Sequence, residues 1–353
     1  MAKLQGSRTK AIYKNGVAAT VFGTAVAGAT GNRIRAQSIN PNYTSQELVK
    51  GIIGSGLVMQ DEIQKGRLTP IVSLTGDAGF NNMYDEIAAQ FFGTASAPAE
   101  QTTDQDDYLH RLTLNPTENP IFGTFAYELE TTKVAELPSC AVTSFTTSFS
   151  AAQEYLQVTA ELLGNDLVLN SSTNTNATLG TATFADRECV RVKESDEFYL
   201  NLQSGADFDS GDLFKIMSYT RTLTRPQEQM GNIRGAAGND KPLMTGLPTG
   251  TLTVVLEALE DIAMFTAWDT EAYYKCKLVL EGSQIGTGDN KSWIEINPRM
   301  KLVQAPVYAP TSAGYNQVTL NFTLFEAAAN PTGLDSTRPY LELINGRSAA
   351  YIA

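Results

Sequence analysis

The chain has 353 residues, 42% of them hydrophobic and only 18% charged, and its 26 Lys and Arg against 38 Asp and Glu give a formal charge of −12. That length exceeds one ordinary hydrophobic core and predicts two domains, while the acidic balance excludes a protein that grips nucleic acid through its phosphates. A negative wall repels a phosphate backbone, so the charge suits a conduit past which DNA slides, and it equally serves solubility alone.

Ser, Thr, Asn, Gly and Ala fill the rest of the sequence, which favours strands and tight turns over long helices. Residues 1–64 read as an extended, Gly-rich arm with little core of its own, ordered by lying on another surface such as a neighbouring copy. Lys3, Arg8, Lys10 and Lys14 precede an Ala/Gly-rich stretch that imitates a signal peptide, but a single Phe, no Leu core and interrupting Gly and Thr argue against that reading. No run approaches the roughly 20 apolar residues needed to cross a bilayer, so no membrane insertion is expected.

Residues 65–165 predict a first β domain. A strand over 68–74 leads to Met83, Ile87, Ala88, Phe91 and Phe92 at helical spacing, closed by Gly93. Strands over 122–129, 141–150 and 154–163 follow. Residues 166–249 read as an insertion and connecting region, with strand-like pieces at 198–202 and 213–221 and a Gly-rich loop from Gly231 to Gly250. Residues 250–353 predict a second β domain in the same order: a strand at 252–259, a short helix at 262–268, and strands at 273–281, 293–307 and 317–326. Pro138 answers Pro298, and 156–163 answers 318–325, which points to a duplication. The fold class is therefore mainly β: two tandem β-sandwich or barrel-like domains, each with one short α-helix, plus the N-terminal arm.

Residues with catalytic chemistry are few. His110 is the one histidine, so any triad would need it, and its polar approach to a strand reads as a surface or edge position. Cys140, Cys189 and Cys276 lack metal or disulfide spacing, and Cys276 reads as a small core residue. Asp104, Asp106 and Asp107, and Asp207, Asp209 and Asp212, have the charge of a cation loop; the second group lacks the distal bidentate Glu and reads as a solvated turn. Trp268 and Trp293 fall in a helix and a strand and read as packing. No nucleophile elbow, zinc-protease helix or phosphate loop is present. No enzyme activity, catalytic residue, metal or cofactor is expected.

Several segments resemble the major tail tube proteins of long, non-contractile-tailed bacteriophages: Pro120–Tyr127 leading into Glu136–Ser139, then Val142–Phe145 and Leu156–Gly164, and later Gln317–Glu326, Asn330–Gly333 and Pro339–Leu343. The likeness covers most of residues 65–345. It implies a β-sandwich or barrel-like subunit that joins its sheets into rings, with rings stacked through loops and arms around a channel that conducts DNA to the host cell. Duplicated domains imply three chains per ring with pseudo-sixfold symmetry, a hexamer being the alternative. The implied partners are copies of itself, DNA passing without specific binding, and other tail proteins. The implied setting is the virion tail, assembled in the bacterial cytoplasm. A tail-tip, capsid-decorating or adhesin-like β-protein that binds a receptor or glycan is the competing reading, and a carboxylate hydrolase the third.

Overall fold

The computed structural model describes residues 9–18, 21–50, 62–117, 121–130, 132–150, 153–229, 241–257, 263–310 and 316–352. The strands are β1 (Ala11–Ala18), β2 (Ser38–Lys50), β3 (Glu62–Asp77), β4 (Gly93–Ala95), β5 (Ala99–Glu100), β6 (Tyr108–Leu114), β7 (Ile121–Glu130), β8 (Lys133–Ser150), β9 (Gln157–Gly164) and β10 (Val168–Leu169). They continue with β11 (Glu197–Leu202), β12 (Ile216–Thr224), β13 (Gln227–Glu228), β14 (Leu243–Met244), β15 (Thr249–Glu257), β16 (Tyr273–Gln284), β17 (Asn290–Leu302), β18 (Val307–Pro310), β19 (Asn316–Leu324) and β20 (Tyr340–Asn345). Among the described residues three α-helices, α1 (Met83–Phe92), α2 (Asn176–Thr181) and α3 (Ala263–Asp269), are interspersed. The protein is mainly β, as its composition predicts, and its strand pairings are antiparallel.

One ladder runs β2–β3–β9–β8 and a second runs β12–β15–β19–β17. Their registers coincide. Ile39 faces Leu74 as Tyr219 faces Val254, Pro41 faces Val72 as Arg221 faces Leu252, and Val142 faces Leu162 as Leu302 faces Phe322. In both ladders the long strand passes into a second layer: β8 pairs with β7, β7 with β1; β17 pairs with β16, β16 with β11.

Pro138 and Pro298 occupy the same irregularity. Between Gly123↔Cys140 and Phe125↔Leu137, and between Tyr274↔Met300 and Cys276↔Asn297, the long strand carries one residue more than its partner. A residue without an N–H is tolerated there because a bulge already breaks the ladder. The strand expected over 293–307 accordingly shifts register at Pro298, ends at Leu302 and resumes at Val307.

Two segments differ from expectation. The described part of 1–64 is woven into the sheets: Ile12 and Tyr13 are fully buried, β1 pairs with β7, and β2 pairs with β3. Covered faces on both sides of β1 bury consecutive residues and erase the alternation that reveals a strand. Tyr13 joins the main core, whereas Ile12 packs with Ala126, Val134, Leu179 and Ala182. In 166–249, β11 and β12 belong to the second ladder rather than to a connection. Residues 230–240 of the Gly-rich loop lie outside the described residues.

Helix α1 begins on a capping box between Asn82 and Asp85 and ends on Gly93, whose φ of 76° is left-handed. Its helical spacing predicts one polar face, yet all ten residues are buried. It packs among β1, β4, β6, β7 and β8, and Asp85, Glu86 and Gln90, which it carries inward, are partnered, whereas the buried Tyr84 hydroxyl has no hydrogen-bond partner among the described residues.

Candidate assembly surface

The two ladders are joined into one sheet by β8 and β12, which pair without interruption from Ser218↔Ser150 to Thr224↔Ser144. The resulting order is β2–β3–β9–β8–β12–β15–β19–β18. Along each strand, residues alternate between the core and the opposite face. Phe145, Thr147 and Phe149 of β8, Tyr219, Arg221 and Leu223 of β12, and Leu252, Val254 and Leu256 of β15 are buried.

The opposite face carries Ser144, Thr146, Ser148 and Ser150 on β8, Ser218, Thr220, Thr222 and Thr224 on β12, and Gln317, Thr319, Asn321 and Thr323 on β19. Ser73, Thr75, Gln157, Thr159, Thr251 and Thr253 continue it. Cross-strand hydrogen bonds tie it together: Thr75 to Thr159 at 3.1 Å, Thr146 to Thr222 at 3.1 Å, and Thr253 Oγ1 to Asn321 Oδ1 at 2.8 Å. Among the residues of this face whose side chains are described, the charged groups include Asp77, Glu161, Glu257 and Lys301, the last facing Thr323 across the ladder and paired with Glu271 at 3.1 Å. Neutral hydroxyls and amides, more than acidity, set its character. The surplus of carboxylates lies elsewhere, because strand alternation favours Ser and Thr on a half-covered pleat.

Beneath the seam between the ladders lies a buried cluster. Glu295 accepts hydrogen bonds from Thr147 Oγ1 at 3.0 Å, Tyr219 OH at 2.8 Å and Trp293 Nε1 at 2.9 Å, and its Oε2 lies 2.9 Å from Arg221 Nε. Arg221 and Glu295 are 1% and 0% exposed, and the guanidinium lies over the Phe92 ring. Burial, followed by the neighbouring Glu295 carboxylate, pushes the Tyr219 hydroxyl well above its ordinary pKa. Thr147 comes from the first ladder and Glu295 from the second, so the cluster locks the two together.

At the ends of the sheet, β2 has β3 as its only pairing partner and β18 has β19, among the described residues. Ile39 and Tyr43 are half-buried against the core and Pro41 is exposed. Tyr43 OH meets Tyr127 OH at 2.5 Å. A groove of about 580 Å³, lined by Ile34, Ile39, Pro41, Tyr127 and Phe184 among others, opens beside this edge.

The residues with chemical potential are dispersed. His110 is fully buried, not at the surface: its Nε2 lies 2.8 Å from the Arg347 carbonyl, its ring meets Tyr351 edge-on, and burial lowers its pKa. The C-terminal segment covers it, a long-range contact that local sequence does not reveal. Cys140 and Cys276 are core residues whose thiols burial pushes up, Cys276 to about 12. Asp209 caps a single turn by accepting from Gly211 N, and Asp212 accepts from Asn201 Nδ2. Asp107 accepts from Thr102 N and Asp289 N, and these bonds outweigh burial and hold its carboxyl below the usual range. Trp293 is buried in the core and Trp268 packs against it. Among the described residues no group of His, Cys, Asp and Glu is placed to hold a metal ion.

Sequence reasoning read a strand-like piece over 213–221 but missed the polar face and the joining role of β12. The signal was present in the alternation Ser144-Phe-Thr-Thr-Ser-Phe-Ser150 and Ser218-Tyr-Thr-Arg-Thr-Leu-Thr224, whose even-numbered positions are all hydroxylic. No helix among the described residues is long and apolar enough to cross a membrane. No family model and no curated protein sequence matches the chain.

Proposed function

We propose that this chain is a structural subunit of a phage tail tube, with two tandem tube-type domains, that forms stacked rings whose channel conducts DNA. The observation that supports the reading is the continuous sheet across both ladders, polar and poor in Lys and Arg on one face and, among the described residues, open at both end strands. A face poor in cations, whose Lys301 is already paired with Glu271, offers a phosphate backbone few ion pairs, so DNA would pass without being held. Open strand edges are unpaired templates that natural proteins cover, and closing the sheet on further copies covers them. In a ring of three chains the two ladders of each chain would give pseudo-sixfold symmetry, with internal seams alternating with seams between chains. The ring would sit in the virion tail among other tail proteins, after assembly in the bacterial host, and it would turn over no substrate.

Negative-stain electron microscopy of the purified chain over a range of concentrations tests the proposal. Uniform rings or tubes with a central channel are expected, with duplex DNA failing to co-sediment with them at physiological salt. A chain that stays monomeric at high concentration, or assemblies without a channel, would overturn it and favour a receptor- or glycan-binding protein.

A further inference from the structure

The internal seam specifies what a seam between two copies would look like. Arg225 N donates to the Thr143 carbonyl at 2.7 Å, in the same register as the β12–β8 pairs. Because antiparallel N–H groups alternate in direction, the N–H groups of Leu223, Arg221 and Tyr219 also point at β8. The counterparts of these residues on β2, by their pairing with β3, are Tyr43, Pro41 and Ile39. At the central position, where Arg221 directs an N–H across the seam, the open edge has proline.

Pro41 keeps its register with Val72 because a residue without an N–H fits a ladder only where its nitrogen faces away from the partner. The other open edge follows the same rule. Pro310 is in register with Asn316, so its nitrogen faces away from β19, and Pro306 lies directly before β18. The joined strands contain no proline: none occurs from Ser144 to Ser150 of β8 or from Ser218 to Thr224 of β12.

We propose that Pro41 and Pro310 are a brake on self-assembly, each deleting a backbone donor aimed at the matching edge of a second copy. The inference rests on the ring reading above. Two copies meeting at this one seam would separate, whereas a closed ring, in which each copy is held at both edges, would persist. The internal seam needs no brake, since its strands belong to one chain and meet once, during folding.

The test compares the full-length chain with Pro41→Thr, Pro310→Thr and the double variant, measuring by sedimentation velocity the concentration at which assembly begins. Restoring one donor is expected to lower that concentration about tenfold, and restoring both to lower it further, with monomer melting temperature unchanged. Assembly of all the variants at the wild-type concentration would remove the brake and leave the ring reading intact. Monomers throughout, wild type and variants alike, would overturn both. Should one variant fail to fold, the other carries the comparison, since the two prolines lie on opposite edges.

Discussion

Helices α1 and α3 follow the corresponding strands β3 and β15 of their ladders, yet they are held differently. Helix α1 has ten residues, a capping box and a left-handed glycine stop, and it is buried along its whole length. Helix α3 has seven residues, with Thr266 exposed, Ala267 buried and Trp268 half-buried. Between α1 and β7 the chain supplies β4, β5 and β6, whereas α3 leads almost directly into β16. The C-terminal segment then closes over α1, where Arg347 pairs with Glu86 at 3.0 Å and Tyr351 OH donates to Asp85 at 3.1 Å, while from β1 Asn15 Nδ2 donates to the Glu86 carbonyl at 2.6 Å. The first ladder thus carries buried charge in its helix as well as in Glu128 and Glu136 of its strands. The second carries it in the strands, where Arg221 and Glu295 stand in place of Pro41 and Ala135. The same ladder tolerates both arrangements because each buried carboxylate is matched by donors.

The largest test of this contrast is Glu295→Ala. It strands a buried guanidinium and removes the acceptor for Thr147, Tyr219 and Trp293, and should cost about 3–5 kcal/mol in denaturant unfolding. A smaller loss would mean that water enters to solvate Arg221 and that the seam is looser than its contacts suggest. In the first ladder, Gly93→Ala forces a β-carbon into a left-handed stop and should cost about 1–2 kcal/mol.

A further test of the contrast depends on pH. Burial raises the Asp85 carboxyl to about 8, against the lowering effects of the Tyr351 hydroxyl, the local backbone N–H groups and Arg347. The folded chain therefore holds a proton that the unfolded chain releases near the ordinary carboxylate range. The resulting stability is complete below that range and is lost progressively as pH rises from about 4 toward 8. Stability measured across that window should fall more steeply in the wild type than in Asp85→Asn, and parallel curves would show that the helix is wetter than its burial implies.

Much of this architecture was legible in the sequence. Helix α1 and its Gly93 stop were read to the residue, since periodic spacing and a glycine are local signals. The strand segments at 122–129, 141–150, 273–281 and 317–326 lie within or overlap observed strands for the same reason. The role of β1 was hidden because Ile12 and Tyr13 are buried on opposite faces. The role of β12 was hidden because its sequence shows a strand but not its neighbours, and its position between β8 and β15 is set by long-range pairing. The clustering of His110, Tyr351 and Arg347 spans most of the chain and leaves no local pattern.

The passage of β8 and β17 through both layers has a mechanical consequence. At about 3.3 Å per residue, the 18 residues of β8 form a continuous tether about 60 Å long. Its first half is zipped to β7 and its second half to β9 and β12. A tensile load entering one layer along β8 reaches the other through covalent bonds, not across a packed interface. The layers cannot slide past one another without shearing two sets of ladder bonds at once, so failure under load should begin at the open end strands and leave the shared ones for last.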